Sequence, residues 1–231
     1  MSRMFRATVI GMAAAMAVVA GAGATLAQDG GDIRDRTEQL RLEGRRGPSL
    51  FRPGFGVGEY TGVSSARSSS TRAFGVHERD SSHVNFTVTA PSLGELTGDC
   101  GGGQSETRFA WITFDRDPLT YNCTYSNGAS LGMVAARGSW RARLSQPQRA
   151  GEFTWNGTTY RFQTQRIGGL GFSLTGGAMG YVISRDGVEI GGLDLNGMRP
   201  SFYLPPQGSP DRDAVAVWAL SLFFFSDPAR N

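Results

Sequence analysis

Residues 152–162 (EFTWNGTTYRF) constrain the fold more than any other stretch of the chain. Their apolar side chains alternate with polar ones on both sides of an Asn-Gly pair, and such a pair supplies the two positive-φ positions of a type I′ turn. The stretch therefore predicts a β-hairpin in which Trp155 faces Thr158 and Phe153 faces Tyr160.

A second alternating run, residues 83–89 (HVNFTVT), predicts a strand whose Val84, Phe86 and Val88 face the core. Glycine accounts for 33 of the 231 residues, about twice its usual share, which is typical of chains with many tight turns. We therefore expect a mainly β fold, arranged as an antiparallel sheet or sandwich or as a partly open barrel, with one carboxy-terminal α-helix packed on it.

Two further hairpins are indicated by short runs on either side of turn residues. Residues 108–114 and 119–125 flank the loop 115–118, and in this register Cys123 lies opposite Ala110 on an apolar face.

The other hairpin spans residues 181–195, where Asp186-Gly187 provides the turn. Its simplest register pairs Ile183 with Ile190. The glycine-rich residues 168–177 that precede it predict a bend or a weakly specified strand.

The first 27 residues have the three parts of a secretory signal peptide. A basic start with Arg3 and Arg6 leads into the apolar stretch 9–22, and small residues precede the polar Gln28. The apolar stretch is shorter than the roughly 20 residues that a bilayer-spanning helix needs. We therefore expect a signal peptide at 1–27, cleavage after it, a periplasmic or secreted protein, and no transmembrane span in the mature chain.

The mature chain is expected to begin with a linker. Residues 28–56 carry mixed charges and few apolar side chains, so they predict a charged flexible linker. The polar run 64–72 (SSARSSSTR) predicts an exposed loop by the same reasoning. Residues 57–231 are numerous enough to form one disulfide-containing β-rich domain with its own core.

The chain ends with a predicted helix at 210–225. Ser209 can cap it, Pro210 suits its first position, and Asp211 and Asp213 lie at the positive end of its dipole. The run 214–225 is apolar on nearly every side, so the helix must be buried. We expect Val215, Trp218, Ala219 and Leu222 to cover a sheet face, and Val217, Leu220 and Phe224 to face a loop or another subunit.

Composition excludes several kinds of chemistry. All 23 basic residues are arginine, so Schiff-base lysines, P-loop lysines and Ser-x-x-Lys acylation are impossible. Removal of 1–27 takes away Arg3 and Arg6 and lowers the formal charge from +3 to +1. The charge therefore does not predict a nucleic-acid partner.

Residues 97–104 (TGDCGGGQ) resemble the Gly-Asp-Ser-Gly-Gly box of chymotrypsin-like serine proteases, with Cys100 in place of the serine. Such proteases take their histidine from a separate barrel, whereas His77 and His83 lie only 23 and 17 residues upstream, so the spacing excludes this site. Two cysteines in an exported chain instead predict a disulfide between Cys100 and Cys123, with the glycines 101–103 bending the backbone toward the partner strand.

Other motifs are incomplete. His77 and His83, with Glu78 and Asp80 between them, are weak metal candidates without a spaced third ligand, and we expect no metal and no cofactor. Residues 128–132 (GASLG) match a nucleophile elbow but no histidine follows, so they predict a turn. Residues 194–197 (DLNG) resemble a fragment of a calcium loop and also predict a turn.

These features favour a non-enzymatic binding or structural module of the bacterial envelope or periplasm, with an unidentified ligand or an envelope protein as its partner. Two alternatives stay open. One is a hydrolase-type enzyme using surface carboxylates such as Asp115, Asp117 or Glu152. The other is a small outer-membrane β-barrel, although its strands of about ten residues are longer than the runs seen here.

Overall fold

Twelve strands and two helices are described in the computed structural model, which covers residues 32–43, 54–69, 81–104, 119–135, 149–167, 180–196 and 200–225. The predicted signal peptide lies outside these residues. In chain order the elements are α1 (Ile33–Arg36), β1 (Glu38–Arg41), β2 (Gly54–Val57), β3 (Tyr60–Ser69), β4 (Ser81–Ala90), β5 (Gly94–Gln104), β6 (Leu119–Tyr125), β7 (Ser130–Ala135), β8 (Arg149–Trp155), β9 (Thr158–Thr164), β10 (Gly180–Arg185), β11 (Val188–Asp194), β12 (Ser201–Leu204) and α2 (Arg212–Phe223).

The strands form one antiparallel sheet in the order β1-β12-β11-β10-β9-β8-β7-β6-β5-β4-β3-β2. Glu43, two residues beyond β1, bridges to Gly56 of β2, with backbone N···O distances of 2.7 and 2.8 Å. Because this bridge joins the two ends of the strand order, the sheet is a nearly closed barrel. The expected mainly β fold is confirmed.

Helix α2 lies inside the curved sheet and contacts strands on several sides. The Phe224 ring packs 5.1 Å from Phe55 of β2 and 5.7 Å from Phe86 of β4. Across the barrel, Trp218 packs 5.7 Å from Phe162 of β9. A helix without a polar face is stable here because the wall offers apolar contacts in every direction.

The expected division of α2 into two faces is wrong. Val217, Leu220 and Phe224 do not face a loop or another subunit, because all three are buried in the same core as Trp218. The helix also begins later than predicted, at Arg212, since Asp211 occupies the N-cap position. Ser209 still contributes, because its Oγ accepts a hydrogen bond from the Asp211 N–H at 3.4 Å.

Side chains alternate between an apolar interior and a polar outer wall. In β4, Val84, Phe86 and Val88 are buried while Asn85 and Thr89 are exposed, as the alternation predicts. Strand β5 repeats the pattern, with buried Leu96, Gly98 and Cys100 and exposed Glu95, Thr97 and Asp99.

The β8–β9 hairpin is confirmed in turn and register. Asn156 and Gly157 have φ values of 47° and 78°, and the pairs are Trp155 with Thr158 and Phe153 with Tyr160.

The β10–β11 turn at Asp186-Gly187 is also confirmed, with φ values of 52° and 81°. The predicted pairing of Ile183 with Ile190 is wrong, because a bulge shifts the register and Ile183 pairs with Gly191. A Cβ at Gly191 would lie 2.4 Å from Cγ1 of Val215, so the bulge places a glycine where a side chain would collide with α2.

The hairpin predicted across 108–125 is wrong in its register. Cys123 pairs with Cys100 of β5 on one side and with Leu131 of β7 on the other, so it does not pair with Ala110 as predicted. Residues 108–114 lie outside the described residues, as does the bend predicted at 168–177. Strand β5 was missed because glycines suggest flexibility, yet a Cβ at Gly98 would stand 2.6 Å from the Phe86 ring.

Two polar segments belong to the sheet rather than to a loop or linker. Residues 64–69 of the predicted loop are part of β3, which pairs along its length with β4. Within the predicted linker 28–56, β1 pairs with β12 and β2 pairs with β3. The few apolar side chains of the linker suffice because Leu40 and Leu42 pack on a core that the rest of the chain supplies.

Candidate functional site

The most concentrated group of charged side chains lies where α2 enters the barrel. It is built on Asp211, Arg212 and Asp213 and includes their partners Glu38, Glu59, Tyr60, Ser92, Tyr160 and Arg185, which together we call the hub. The hub lies at the rim that carries the short turns 58–59, 91–93, 126–129, 156–157 and 186–187, called here the turn rim.

Arg212 joins three separate segments of the turn rim. Its Nε donates to Glu59 Oε1 at 2.5 Å, its Nη1 donates to the Pro205 carbonyl at 2.5 Å, and its Nη2 lies 2.8 Å from Glu38 Oε2. The side chain is only 5% exposed. A buried guanidinium is tolerated because carboxylates and a carbonyl take up its donors.

Asp211 ties α2 to the opposite part of the wall. Its Oδ1 accepts from the Tyr160 hydroxyl at 2.9 Å and from Arg185 Nη1 at 2.6 Å. The contacted side chains belong to β9 and β10, so this carboxylate anchors the helix far from the Arg212 contacts in strand order.

Asp213 completes the ring of contacts through hydroxyl groups. Its Oδ1 accepts from Tyr60 at 2.6 Å and from Ser92 at 2.8 Å. Three consecutive residues of the chain therefore hold segments from both ends of the strand order.

These contacts shift the pKa values of several hub groups. The hydrogen bonds from Arg212 hold the pKa of Glu59 below its ordinary value. Burial, followed by the hydrogen bond to Asp211, raises the pKa of Tyr160 to about 12. Burial also raises the pKa of Tyr60, and the hydrogen bond to Asp213 adds to the effect. The hub therefore favours the charged form of Glu59 and the neutral forms of Tyr60 and Tyr160.

The carboxyl-terminal part of α2 is held by neutral hydrogen bonds. Ser221 lies between two tyrosines of β6. The Tyr121 hydroxyl donates to the Ser221 carbonyl oxygen at 3.1 Å, and the Tyr125 hydroxyl lies 2.7 Å from Ser221 Oγ. Nearby, Arg149 Nη1 donates to the Tyr181 hydroxyl at 2.7 Å and its guanidinium lies 5.2 Å from the Phe225 ring centre.

The two cysteines are joined in the barrel wall rather than through a bend. Cys100 of β5 lies directly opposite Cys123 of β6, with 4.0 Å between their Cα atoms, and both side chains are buried. The glycines 101–103 do not bend away, because they continue the ladder with β6.

Of the two weak metal candidates, the structure describes only His83. His83 is exposed on the outer wall, with its Nε2 3.1 Å from Asn85 Nδ2 and 3.5 Å from Asp99 Oδ1. His77 lies outside the described residues. Among the residues that are described, no three His, Cys, Asp or Glu side chains are grouped to hold a metal ion.

Of the carboxylates named for the enzyme alternative, the structure describes only Glu152. Glu152 is on the outer wall, 3.5 Å from Nε of Arg161, while Asp115 and Asp117 lie outside the described residues. The elbow-like residues 128–132 span the β6–β7 turn, and Asp194 Oδ1 accepts from the Asn196 N–H as in an ordinary turn.

No protein-family model, curated protein or solved structure matches this chain.

Within the ranges that the structure covers, no helix combines the length and the apolar character needed to cross a membrane.

Sequence reasoning did not find the hub. It assigned Asp211 and Asp213 to the helix dipole and gave Arg212 no role. The available signal was the arrangement Asp-Arg-Asp directly before an apolar helix, because charges next to a helix that must be buried need partners inside the fold.

Proposed function

We propose that the protein is an exported, non-enzymatic binding module of the bacterial envelope, which contacts its partner through the rim opposite the turn rim. The observation that carries this proposal is that the barrel has a filled interior and two different rims. Its interior is occupied by its own helix, and its five longest connections between strands all join strand ends at one rim. Export is supported by the signal-peptide pattern of 1–27.

The filled interior argues against a carrier that holds its ligand inside the barrel. Ten of the twelve residues of α2 are buried. The hub acids face guanidinium or hydroxyl donors that anchor the helix, so the arrangement is better suited to holding α2 than to proton transfer. A partner would therefore contact the outer surface of the barrel.

Connections alternate between the two rims because neighbouring strands are antiparallel. The rim opposite the turn rim, called here the loop rim, carries the strand ends that flank the connections 42–53, 70–80, 105–118, 136–148, 165–179 and 195–200. Loops at one end of a rigid β scaffold commonly carry binding residues. The loop rim is therefore the favoured contact region.

The sequence of these connections indicates the chemistry of the partner. They contain 12 arginines and 6 acidic residues, with three of the arginines in 136–148 at Arg137, Arg141 and Arg143. Arginine binds carboxylate and phosphate groups with paired hydrogen bonds. A partner that displays phosphate groups, such as an anionic envelope lipid, fits this composition.

The outer wall disfavours the outer-membrane alternative. Barrels of that class expose an apolar band to lipid, whereas this wall exposes polar side chains including Asn85, Thr97 and Asp99. The enzyme alternative has less support, because its one described carboxylate, Glu152, lies beside Arg161 on the wall.

Vesicle cosedimentation tests the proposal. The protein without residues 1–27 is mixed with vesicles that contain an anionic phospholipid, and with vesicles of zwitterionic lipid alone. We expect binding to the anionic vesicles only, weakened by about tenfold in the variant Arg137→Gln/Arg141→Gln/Arg143→Gln.

The matched control removes the same charge from α1 and β9 through Arg34→Gln/Arg36→Gln/Arg161→Gln, where all three residues are exposed. This control should bind like the parent protein. Equal losses in both variants, or no binding by the parent, would contradict the role of the loop rim.

A further inference from the structure

The hub connects α2 to elements all around the turn rim, whereas the rest of the helix is held by apolar packing and neutral hydrogen bonds. We propose that the hub is a latch, in which charged carboxylates keep the amino-terminal end of α2 docked and acid releases that end before the sheet unfolds. This inference goes beyond the proposed function and does not depend on it.

The contacts of the latch converge on three consecutive residues, 211–213. Arg212 reaches β1 through Glu38 and the β2–β3 turn through Glu59, and the segments adjoining these two residues are joined by the bridge between Glu43 and Gly56. Asp211 reaches β9 and β10, and Asp213 reaches β3 and the β4–β5 turn. Loss of these bonds would free the helix end and loosen the barrel closure together.

The charges that face this end of the helix make it sensitive to protons. The acids are Glu38 from β1, Glu59 from the β2–β3 turn, and Asp211 and Asp213 from α2 itself. The bases are Arg212 and Arg185, and Asp186 lies 4.0 Å from Arg185. The hydroxyl groups are those of Tyr60, Tyr160 and Ser92. Three of these acids contact a guanidinium, since Glu38 and Glu59 pair with Arg212 and Asp211 pairs with Arg185, while Asp213 accepts from hydroxyl groups. Loss of the negative charges of Glu38 and Glu59 would leave the buried charge of Arg212 without an anionic partner, which is strongly unfavourable.

The direction of the pH effect follows from Glu59. Because Arg212 lowers the pKa of Glu59 in the folded protein, the stabilisation from this pair is present above the ordinary glutamate pKa and is lost as pH falls through the lowered value. The amino-terminal end of α2 is therefore released when the pH falls. The sheet is less affected, because its ladders and the apolar contacts of Trp218 carry no titrating group.

Hydrogen exchange at neutral pH tests the latch without acid. In the variant Glu38→Gln/Glu59→Gln, the charges that hold Arg212 are removed while the side-chain shapes are kept. We expect the amides of residues 215–219 in α2 to exchange roughly tenfold faster than in the parent, while the amides of the β8–β9 hairpin keep their rates. The control Glu95→Gln removes an exposed charge of β5 and should change neither region.

Three outcomes separate the latch from a purely structural role. Faster exchange confined to α2 supports it. Unchanged α2 exchange overturns it, and so does equal acceleration of α2 and the hairpin, since the helix would then open only with the whole barrel. If the double variant does not fold, the single variant Glu38→Gln keeps the Glu59 pair, and the same three patterns, at smaller amplitude, decide the question.

Discussion

Gly157 has a φ of 78°, and a Cβ added there would meet no atom within 4 Å. The position therefore tests the conformational requirement of the turn without a steric clash. We predict that Gly157→Val lowers the free energy of unfolding by roughly 1–2 kcal/mol, because a β-branched residue resists positive φ. The shift in urea midpoint measures this effect.

The control for the turn is Thr159→Val, which places the same side chain at an exposed position of β9. A strand position favours valine, so this variant should match the parent protein closely. Coincident urea midpoints for Gly157→Val and the parent would show that residue 157 does not need positive φ.

Other glycines show why residue roles are only partly predictable. Gly151 and Gly98 are needed for space rather than for turning, since a Cβ at Gly151 would lie 2.0 Å from the Gly132 carbonyl oxygen and one at Gly98 would meet the Phe86 ring. The sequence distinguishes the turn glycine at 157, because Asn156 precedes it between alternating runs. It does not distinguish Gly98, because the neighbouring ring becomes adjacent only when β4 and β5 pair.

Among the elements, α2 depends most on burial. Trp218 is fully buried and packs on Phe162. We predict that Trp218→Ala lowers the free energy of unfolding by about 3–5 kcal/mol, because the barrel cannot collapse around the lost ring. Chemical unfolding monitored by far-ultraviolet circular dichroism provides the measurement.

Deletion from Pro210 onward should have a larger effect and yield unfolded or aggregating protein, because it removes the whole helix from the apolar interior. The control Val188→Ala shortens an exposed apolar side chain and should behave like the parent. A truncated protein that stays soluble, monomeric and as heat-stable as the parent would show that the barrel does not need α2.

The β5–β6 ladder gives a prediction about thiols. Cys100 and Cys123 lie opposite each other and are bonded, so the protein should show no free thiol when it is unfolded without reductant. Labelling with a thiol reagent, followed by mass measurement, checks this. Two labels per chain would contradict the pairing, and a reduced sample supplies the positive control.

Elements with strong local signals were predictable, and elements that depend on partners were not. The β8–β9 hairpin and the strand containing Val84, Phe86 and Val88 follow from period-two alternation. Strand β3 is rich in serine and β1 is highly charged, so each is stabilised by pairing along β4 or β12 rather than by its own composition. The bulge next to Ile183 depends on the approach of α2 and has no local signal.

At the scale of the whole molecule, the position of α2 depends on contacts between distant parts of the chain. The apolar run of α2 correctly predicted that the helix is buried, but an open sheet would have left one face of the helix uncovered. Closure through Glu43 and Gly56 provides the enclosing wall. The hub became visible only with that closure, since Arg212 and Glu59 are 153 residues apart in sequence.

The nearly closed barrel buries five of the six tyrosines in its interior, namely Tyr60, Tyr121, Tyr125, Tyr160 and Tyr181, while Tyr203 is buried with Ile33 of α1 in a separate cluster. Burial raises the pKa of Tyr121 and Tyr125, which lie against α2, and it raises the pKa of Tyr160 to about 12. In the unfolded chain, phenols ionise near pH 10. Stability from a raised pKa is fully present below that value and is lost as pH rises toward the folded value.

We therefore predict that the folded protein becomes less stable above pH 10, by about 1.4 kcal/mol per pH unit for each tyrosine that ionises only on unfolding. Phenolate absorbance at 295 nm should remain low in the folded protein at pH 10.5 and rise in one step when the protein unfolds at higher pH. The variant Tyr125→Phe loses one titrating group and should reduce the slope of stability against pH between pH 10 and 11. A gradual rise in absorbance with the fold intact, as judged by circular dichroism, would show that these phenols are open to solvent and that the barrel is not closed around α2.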